Sequence, residues 1–554
     1  MRAREWVAAL RQFGPEQRAL FRQLYGPDEA LHAERRQAWL AALEKFARTF
    51  GEEREVLLAR APGRVNLMGR HIDHRGGDVN PIALSREVLV VASGRSDDTI
   101  VAHNVDEAQY PPRQFSISAE LPESKVSSLE EWDRWTAAKF QERQRAGTAR
   151  EWINYVKAAA VYFQNRFREP SAALSPRLCG MDAVFSGNVP PMAGLSSSSA
   201  LFVAAAEALL ALNSVSLSEE EFIAACGEGE WYVGTRGGSG DHAAIKLGRA
   251  GQVSHISFAP FSVDYAPLPE EYRVVIANSL VQAHKAGGAR DVFNSRVAAY
   301  ELGLLLLHRR FAELAPRMPR LRDVNPRALG VSESHVLRML AALPERATRA
   351  ELCQELLAGE ARLEEIFASH SEPKEGYALR GVCLFGVAEC ERARLAPRLL
   401  ERGDVERFGR MMSISHDGDR VARTLRDGRQ EPFAAPTSGR YLGELAERWE
   451  RGEGDGPRAL AELPGAYACS VPEIDLMVDV AQAVPGVVGA QISGAGLGGS
   501  MMALVRAPCA EDLVRALAER YYEPRDLPVA VEVCLPVAGS GAITSPARQG
   551  AGEI

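Results

Sequence analysis

The sequence predicts an α+β chain folded as two or more packed units. Its 554 residues exceed the usual size of one compact domain. Strand-like runs rich in Val, Leu and Ile alternate with helical runs before about residue 280 and again near the end. Between about Gly288 and Arg407 the pattern is nearly all helical and rich in Leu, Ala, Arg and Glu.

Taken in order, residues 1–50 read as helices, with Trp39, Leu40, Leu43 and Phe46 at helical spacing among charges. EVLLARAPGRVNL (Glu55–Leu67) and EVLVVASGR (Glu87–Arg95) read as strands separated by the Gly-rich turn GRHIDHRGGDVNP. EWINYVKAAAVYF (151–163) and ALFVAAAEALLAL (200–212) read as helices, and 252–258 and 272–278 as strands. Residues 418–465 are polar, with Gly, Pro and charge clusters, and predict an exposed insertion or helical hairpin. The chain then predicts a helix (IDLMVDVAQAV), a strand (VVGAQIS), a Gly turn and a strand (MMALV). A helix near 510–521 and a strand near 528–534 follow, and a Gly/Ser-rich end from about Gly539 is expected to fray.

Composition narrows the function classes. With 46% hydrophobic and 25% charged residues the chain can bury a sizeable core. A net charge of −8 supplies no positive field for a polyanion, which argues against nucleic acid as the main partner. The eight cysteines form no CxxC pair, so neither a zinc site nor a redox couple is indicated. No apolar run approaches the ~20 residues that span a bilayer, and the charged N-terminus lacks a signal-peptide core. The expected setting is a reducing cytoplasm, with no membrane partner.

Three motifs carry chemistry. In PPMAGLSSSSALFVAAAEALL (Pro190–Leu210) a Pro/Gly turn runs through four serines into an Ala-rich helix. That arrangement aims unpaired amides and the positive helix end at one spot, which favours an anion. The serine hydroxyls add donors and can ligate a hard cation such as Mg²⁺. One serine is common at a helix start, but four exceed what capping needs. The segment lacks the GKS/GKT ending of a Walker loop and the second glycine of a nucleophile elbow, where Ser198 stands.

In the second motif, RAPGRVNLMGRHIDHRGGDVNPIAL (Arg60–Leu84), Arg70, His71, Asp73 and His74 crowd a strand–turn junction after Arg64. Such density suits a polyhydroxylated ligand, although a solvated loop with a surface ion pair would look similar. His71 and His74 lack the HExxH helix of a metal pair. The third motif, GAQISGAGLGGSMMALV (Gly489–Val505), matches GxGxxG at Gly494, Gly496 and Gly499. A strand rather than a helix follows, so a dinucleotide site is not indicated; the turn either approaches a ligand or closes a hairpin.

In this order the three motifs resemble those of the GHMP kinases, and of their galactokinase branch in particular. ARAPGRVNLMGRHIDHRGG resembles the galactokinase signature; WINYVKAAA, GTRGGSGDHAAI, GDVERFGRMMSISHDG and CSVPEIDLMVDVA extend the similarity over roughly residues 35–535. The resemblance implies a two-domain fold, ribosomal-protein-S5-like in its N-terminal half and ferredoxin-like in its C-terminal half, with ATP and sugar in the cleft. The implied organisation is a helical extension (1–35), an N-terminal kinase domain (36–280), a C-terminal domain (281–540) with an insertion near 418–465, and a flexible tail (541–554).

The resemblance further implies an ATP-dependent sugar 1-kinase that phosphorylates the anomeric hydroxyl, with Mg²⁺. Carried over by position, Arg64 and Asp241 are the catalytic pair. Arg70, His71, Asp73 and Gly238 contact the sugar, and Pro191, Gly194, Leu195, Ser196, Ser197, Ser198 and Ser199 cradle the triphosphate. Ser197 and Glu230 are the candidate metal ligands, Glu230 standing one residue from the usual register. Galactokinases usually carry glutamate where Arg70 stands, and an arginine there could pair with a carboxylate. An acidic sugar such as galacturonate and a neutral galactose-type hexose therefore both stand as acceptors. Ile72 and GGSGD are similar to N-acetylgalactosamine kinases, and HIDH-Gly-Gly to plant galacturonokinases. A catalytically silent sugar and ATP sensor is the main rival, and a scaffold using the helical middle is a third. The chain is expected to work as a monomer or weak homo-oligomer on small molecules.

Overall fold

The computed structural model describes residues 1–168, 178–191, 193–281, 288–356, 360–425, 427–453 and 459–545. Two compact units divide the chain: Met1–Val65, Ile82–Ser254 and the segment from Leu535 form the first, and Asn66–Pro81 with His255–Cys534 the second. Among the described residues no helix is long and apolar enough to cross a membrane.

Three helices open the first unit: α1 (Ala3–Gln12), α2 (Pro15–Tyr25) and α3 (Glu29–Phe50). Asp28 caps α3 by accepting from the Leu31 amide at 2.9 Å. Residue 35 lies inside α3. Trp6, Leu10, Phe21, Trp39, Leu43 and Phe46 are buried in one core with Leu58, Leu89, Val91 and Val184. Each such large side chain contributes about 1.5–3 kcal/mol. The sheet beneath them has the strand order Gly541–Ile543, β1 (Leu57–Asn66), β2 (Pro81–Gly94), Met181–Gly187, Thr99–Asn104, Arg113–Ser116. The first unit also holds α4 (Ser197–Leu212) and the short α5 (Gly240–Lys246).

A buried polar knot ties these parts together. Arg60 of β1 donates from Nε to Glu87 of β2 at 2.7 Å and from Nη1 to the carbonyls of Ala538 and Gly539 at 2.8 Å. Tyr25 of α2 donates to the other Glu87 oxygen at 2.7 Å, and the Trp39 indole of α3 donates to Tyr25 at 3.0 Å. The expectation that the chain frays from Gly539 is therefore corrected. Residues 541–543 form a strand antiparallel to β1, which supplies partners for amides that an edge strand would leave open. Residues 546–554 of the expected tail lie outside the described residues.

In the second unit α6 (Gly288–Arg310), α7 (Leu379–Glu401) and α8 (Val405–Asp419) supply much of the helical middle. β3 (Val487–Ser493) and β4 (Ser500–Arg506) form a hairpin in a four-stranded antiparallel sheet with Tyr272–Asn278 and Val531–Cys534. The stretch 418–465, expected to be exposed, instead contributes core. A two-stranded ribbon (Ala422–Thr424 with Gln430–Pro432) precedes the helix Gly439–Arg451, whose Leu442, Leu445 and Ala446 are buried with Tyr300, Leu337 and Phe385. Residues 426 and 454–458 of that stretch lie outside the described residues.

Candidate functional site

In the first unit β1 runs beside the serine loop. A Cβ on Gly63 would lie 2.9 Å from the Leu195 carbonyl oxygen and 3.0 Å from Val189, so only glycine allows this approach. The next residue, Arg64, donates its amide to Leu195 at 3.1 Å and its Nη1 to the Gly194 carbonyl at 2.9 Å. Its Nε and Nη2 reach Asp241 Oδ1 at 2.8 and 2.6 Å. Gly194 (φ 74°) and Ser196 (φ 57°) are both left-handed. They turn the chain so that the amides of Ser197, Ser198 and Ser199 open α4.

The four serines divide their labour. Ser196 donates to Asp241 Oδ2, and Ser198 bonds Tyr155. Ser199 donates to Glu230, 3.1 Å from each oxygen. Among the described residues Ser197 is the one of the four without a hydrogen-bond partner. Asp241 opens α5 with 40% of its side chain exposed. Burial pushes its carboxyl up, but the Arg64 charge and the Ser196 hydroxyl outweigh that and hold it below the ordinary value. Glu230 is buried and lies 3.2 Å from His242 Nε2. Pro191 is exposed at the head of the loop, and Gly238 is exposed in the segment before α5.

The second motif's turn belongs to the second unit, where it is mostly engaged internally. Gly69 (φ 92°) passes so close to residue 78 that a Cβ would meet its carbonyl oxygen. The Gly69 and Arg70 amides donate to Glu389 Oε1 at 2.7 and 3.0 Å. Arg70 is 3% exposed, and its Nη2 lies 2.7 Å from Asp419 and 2.8 Å from Ser415. His71, held at φ 62°, stacks on Tyr467 with ring centroids 4.3 Å apart and planes at 8°. Its Nε2 is 3.6 Å from Asp419 Oδ2, and the Cys469 thiol donates to Asp419 Oδ1 at 3.1 Å. Burial raises the Asp419 carboxyl, yet Arg70 and then His71 bring it well below the usual range. Asp73 keeps 41% of its side chain exposed, beside His74 at 3.2 Å. Burial raises its carboxyl, and the His74 hydrogen bond and charge bring it below the ordinary value.

His71, Asp419 and Cys469 bring their donor atoms within 4.8 Å of one another. Arg70 already places a positive charge on the same carboxylate, which opposes a second cation there. The third motif's glycine turn closes the β3–β4 hairpin, and Leu497 within it donates its amide to the Cys469 carbonyl at 2.7 Å.

Three family models match the chain. The galactokinase galactose-binding signature matches residues 44–94, the GHMP kinases N-terminal domain residues 154–249, and the GHMP kinases C-terminal model residues 439–523. The chain is a GHMP kinase of the galactokinase-like branch. A galactokinase of Roseiflexus sp. is 26% identical over 506 residues, 91% of this chain and 97% of that protein. The Homo sapiens galactokinase is 28% identical over 484 residues, 87% of this chain and 91% of its own. Among solved structures, Lactococcus lactis galactokinase complexed with galactose superposes with a TM-score of 0.60 at 20% identity, over 90% of this chain and 97% of that one. That likeness establishes the GHMP kinase fold with its N- and C-terminal domains.

This galactokinase-like kinase is a phosphotransferase with an alcohol group as acceptor. Its sequence motifs did not disclose Asp419, Tyr467, Cys469, Ser415 or Glu389. One signal was available: Glu389 stands alone in the apolar run GVCLFGVAEC, and a carboxylate buried there requires a cationic partner.

Proposed function

We propose that the chain transfers the γ-phosphate of ATP to the anomeric hydroxyl of a neutral galactose-type sugar. The observation that supports this most is the single cluster in which Arg64 bridges Asp241 and the Gly194 carbonyl at the opening of α4. The amides of Ser197–Ser199 and the positive helix end suit the phosphates of a nucleotide. Arg64 offsets charge on the moving phosphoryl group. Asp241 is held ionised, so it first orients the acceptor hydroxyl and receives its proton late, as suits a loose transition state. Ser197 and Glu230 offer the hard oxygen donors that Mg²⁺ prefers, and Mg²⁺ would neutralise phosphate charge there.

Of the second unit's candidates for sugar contact, Asp73 keeps an open carboxylate, whereas Arg70 and His71 are engaged by Asp419 and Tyr467. A guanidinium already paired with Asp419 has no free charge for a sugar carboxylate, which favours galactose over galacturonate. A panel of sugars with ATP, scored by sugar 1-phosphate formed, tests both parts. Turnover on galactose well above that on galacturonate is expected. A preference for galacturonate would overturn the neutral-sugar reading, and near-normal turnover by Asp241→Ala would overturn the catalytic assignment.

A further inference from the structure

We propose that His242 is a positioning residue for phosphoryl transfer, which through the buried Glu230 fixes Asp241 relative to the serines that open α4. This role rests on the kinase reading of the first unit. His242 is a buried side chain and acts through other groups rather than on the reactants.

His242 follows Asp241 directly in α5. Successive helical residues point about 100° apart, so the two side chains leave the helix in different directions. Asp241 meets Arg64 and keeps 40% of its side chain exposed, whereas His242 turns inward and keeps 2%. The imidazole meets the Phe202 ring of α4 edge-on, with centroids 6.2 Å apart and planes at 79°. Its Nε2 stands 3.2 Å from Glu230 Oε2, and among the described residues neither ring nitrogen has an aligned hydrogen bond. A buried polar group in that state calls for a reason, and the Glu230 carboxylate is the charged acceptor at hand. Contacts at catalytic sites are often poorly aligned at rest and tighten as the site loads.

Glu230 is itself firmly seated. A Cβ on Gly229, just before it, would lie 2.5 Å from the Phe202 ring, and one on Gly227 would lie 3.3 Å from the Ser239 Cα. The turn that carries Glu230 is therefore wedged between α4 and the residue that precedes α5. Glu230 also accepts from Ser199 in the first turn of α4. Ser199, Glu230 and His242 thus make a buried chain of contacts from the first turn of α4 to the first turn of α5. One turn presents the amides that suit phosphate, and the other carries the proton acceptor. Phosphoryl transfer depends on alignment, and a misplacement of about 1 Å can cost roughly 10²-fold. A histidine that only filled space could be replaced by any side chain of its size. A histidine that holds Asp241 through Glu230 needs a donor where Nε2 stands.

Three substitutions in the full-length chain separate these roles. His242→Gln puts an amide nitrogen where Nε2 stands, His242→Asn puts one where Nδ1 stands, and His242→Leu supplies bulk without a donor. The measurement is kcat and KM per folded molecule at saturating Mg²⁺, with galactose and ATP, for each variant alone and for His242→Leu combined with Asp241→Ala. His242→Leu and His242→Asn should lower kcat by up to about 10²-fold with the KM for ATP little changed, and His242→Gln should recover most of the loss. With Asp241→Ala already present, His242→Leu should add no further loss, because residues acting through one another are not additive. Equal kcat in the Gln, Asn and Leu variants would overturn the proposal, as would an undiminished effect of His242→Leu in the Asp241→Ala background. A raised Mg²⁺ requirement with kcat unchanged at saturation would place His242 behind a metal ligand instead and would also overturn it. If His242→Leu does not fold, the comparison of Gln with Asn decides. Near-normal turnover by Asp241→Ala alone would bring down the catalytic reading itself, so the two failures are read from different variants.

Discussion

Two arginine–aspartate pairs of nearly the same chemistry sit in the two units of this chain. Arg64–Asp241 lies in the first and Arg70–Asp419 in the second, with closest contacts of 2.6 and 2.7 Å. In both, the arginine holds the carboxyl below its ordinary value, and a serine hydroxyl completes the arrangement. They differ in exposure. The Asp241 side chain is 40% exposed, whereas Asp419 is fully buried and also accepts from a thiol. A pair open to solvent and next to the amides that open α4 can act on a ligand. A sealed pair can only hold the loop that carries it.

The largest expected effect breaks the open pair. Asp241→Ala should lower turnover by up to about 10⁴-fold, the upper range for a positioned proton acceptor. Its melting temperature should move little, since water can replace a carboxylate that is already partly solvated. The sealed pair should behave in the opposite way. Asp419→Ala leaves Arg70 buried without its countercharge and should cost about 3–5 kcal/mol of stability by chemical denaturation. The double variant Arg70→Met/Asp419→Leu should recover much of that loss, because a well-packed apolar pair is often as stable as a buried ion pair. If the double variant were as unstable as the single one, the pair would have a role beyond mutual neutralisation.

Acid should separate the sealed pair from its apolar replacement. The folded Asp419 carboxyl lies below its unfolded value of about 3.9, so it contributes stability above that value. The contribution is lost as pH falls through the folded value. The stability difference between the wild-type chain and the double variant should therefore hold steady between about pH 5 and 8. Below about pH 4 it should shift in favour of the double variant. A difference that tracks pH near neutrality would assign the titration to another group.

What the sequence disclosed of the two pairs follows from distance along the chain. The serine loop is local chemistry: a turn, a helix start and its hydroxyls are adjacent, so its place at the head of α4 was legible. The strand bearing Arg64 was legible too, since an apolar run with a glycine needs no distant partner. The sealed pair was not legible. Ser415 is 345 positions from Arg70, and Cys469 is 398 from His71. No periodicity encodes which acid meets which base across such a span. The same holds for α1–α3, whose apolar faces announce helices but do not say what covers them. The polar stretch 418–465 misled for a related reason. Its few apolar residues, Leu442, Leu445 and Ala446, are the ones that fold inward, and Tyr467 just beyond it seals His71.

The finest division between the two clusters falls on their serines. Ser196 donates to Asp241 and Ser415 lies between Arg70 and Glu389, so the same truncation can be made in each. Ser196→Ala removes a donor from a carboxylate that Arg64 still holds and solvent still reaches. Turnover should drop about tenfold, one hydrogen bond to a charged group, with little change in melting temperature. Ser415 is fully buried, and Ser415→Ala leaves Arg70 and Glu389 each short of a partner that water cannot replace. Stability should fall by about 1–3 kcal/mol with turnover per folded molecule unchanged. If Ser415→Ala instead reduced turnover of fully folded protein, the sealed cluster would have to take part in catalysis, and exposure would no longer divide the two pairs.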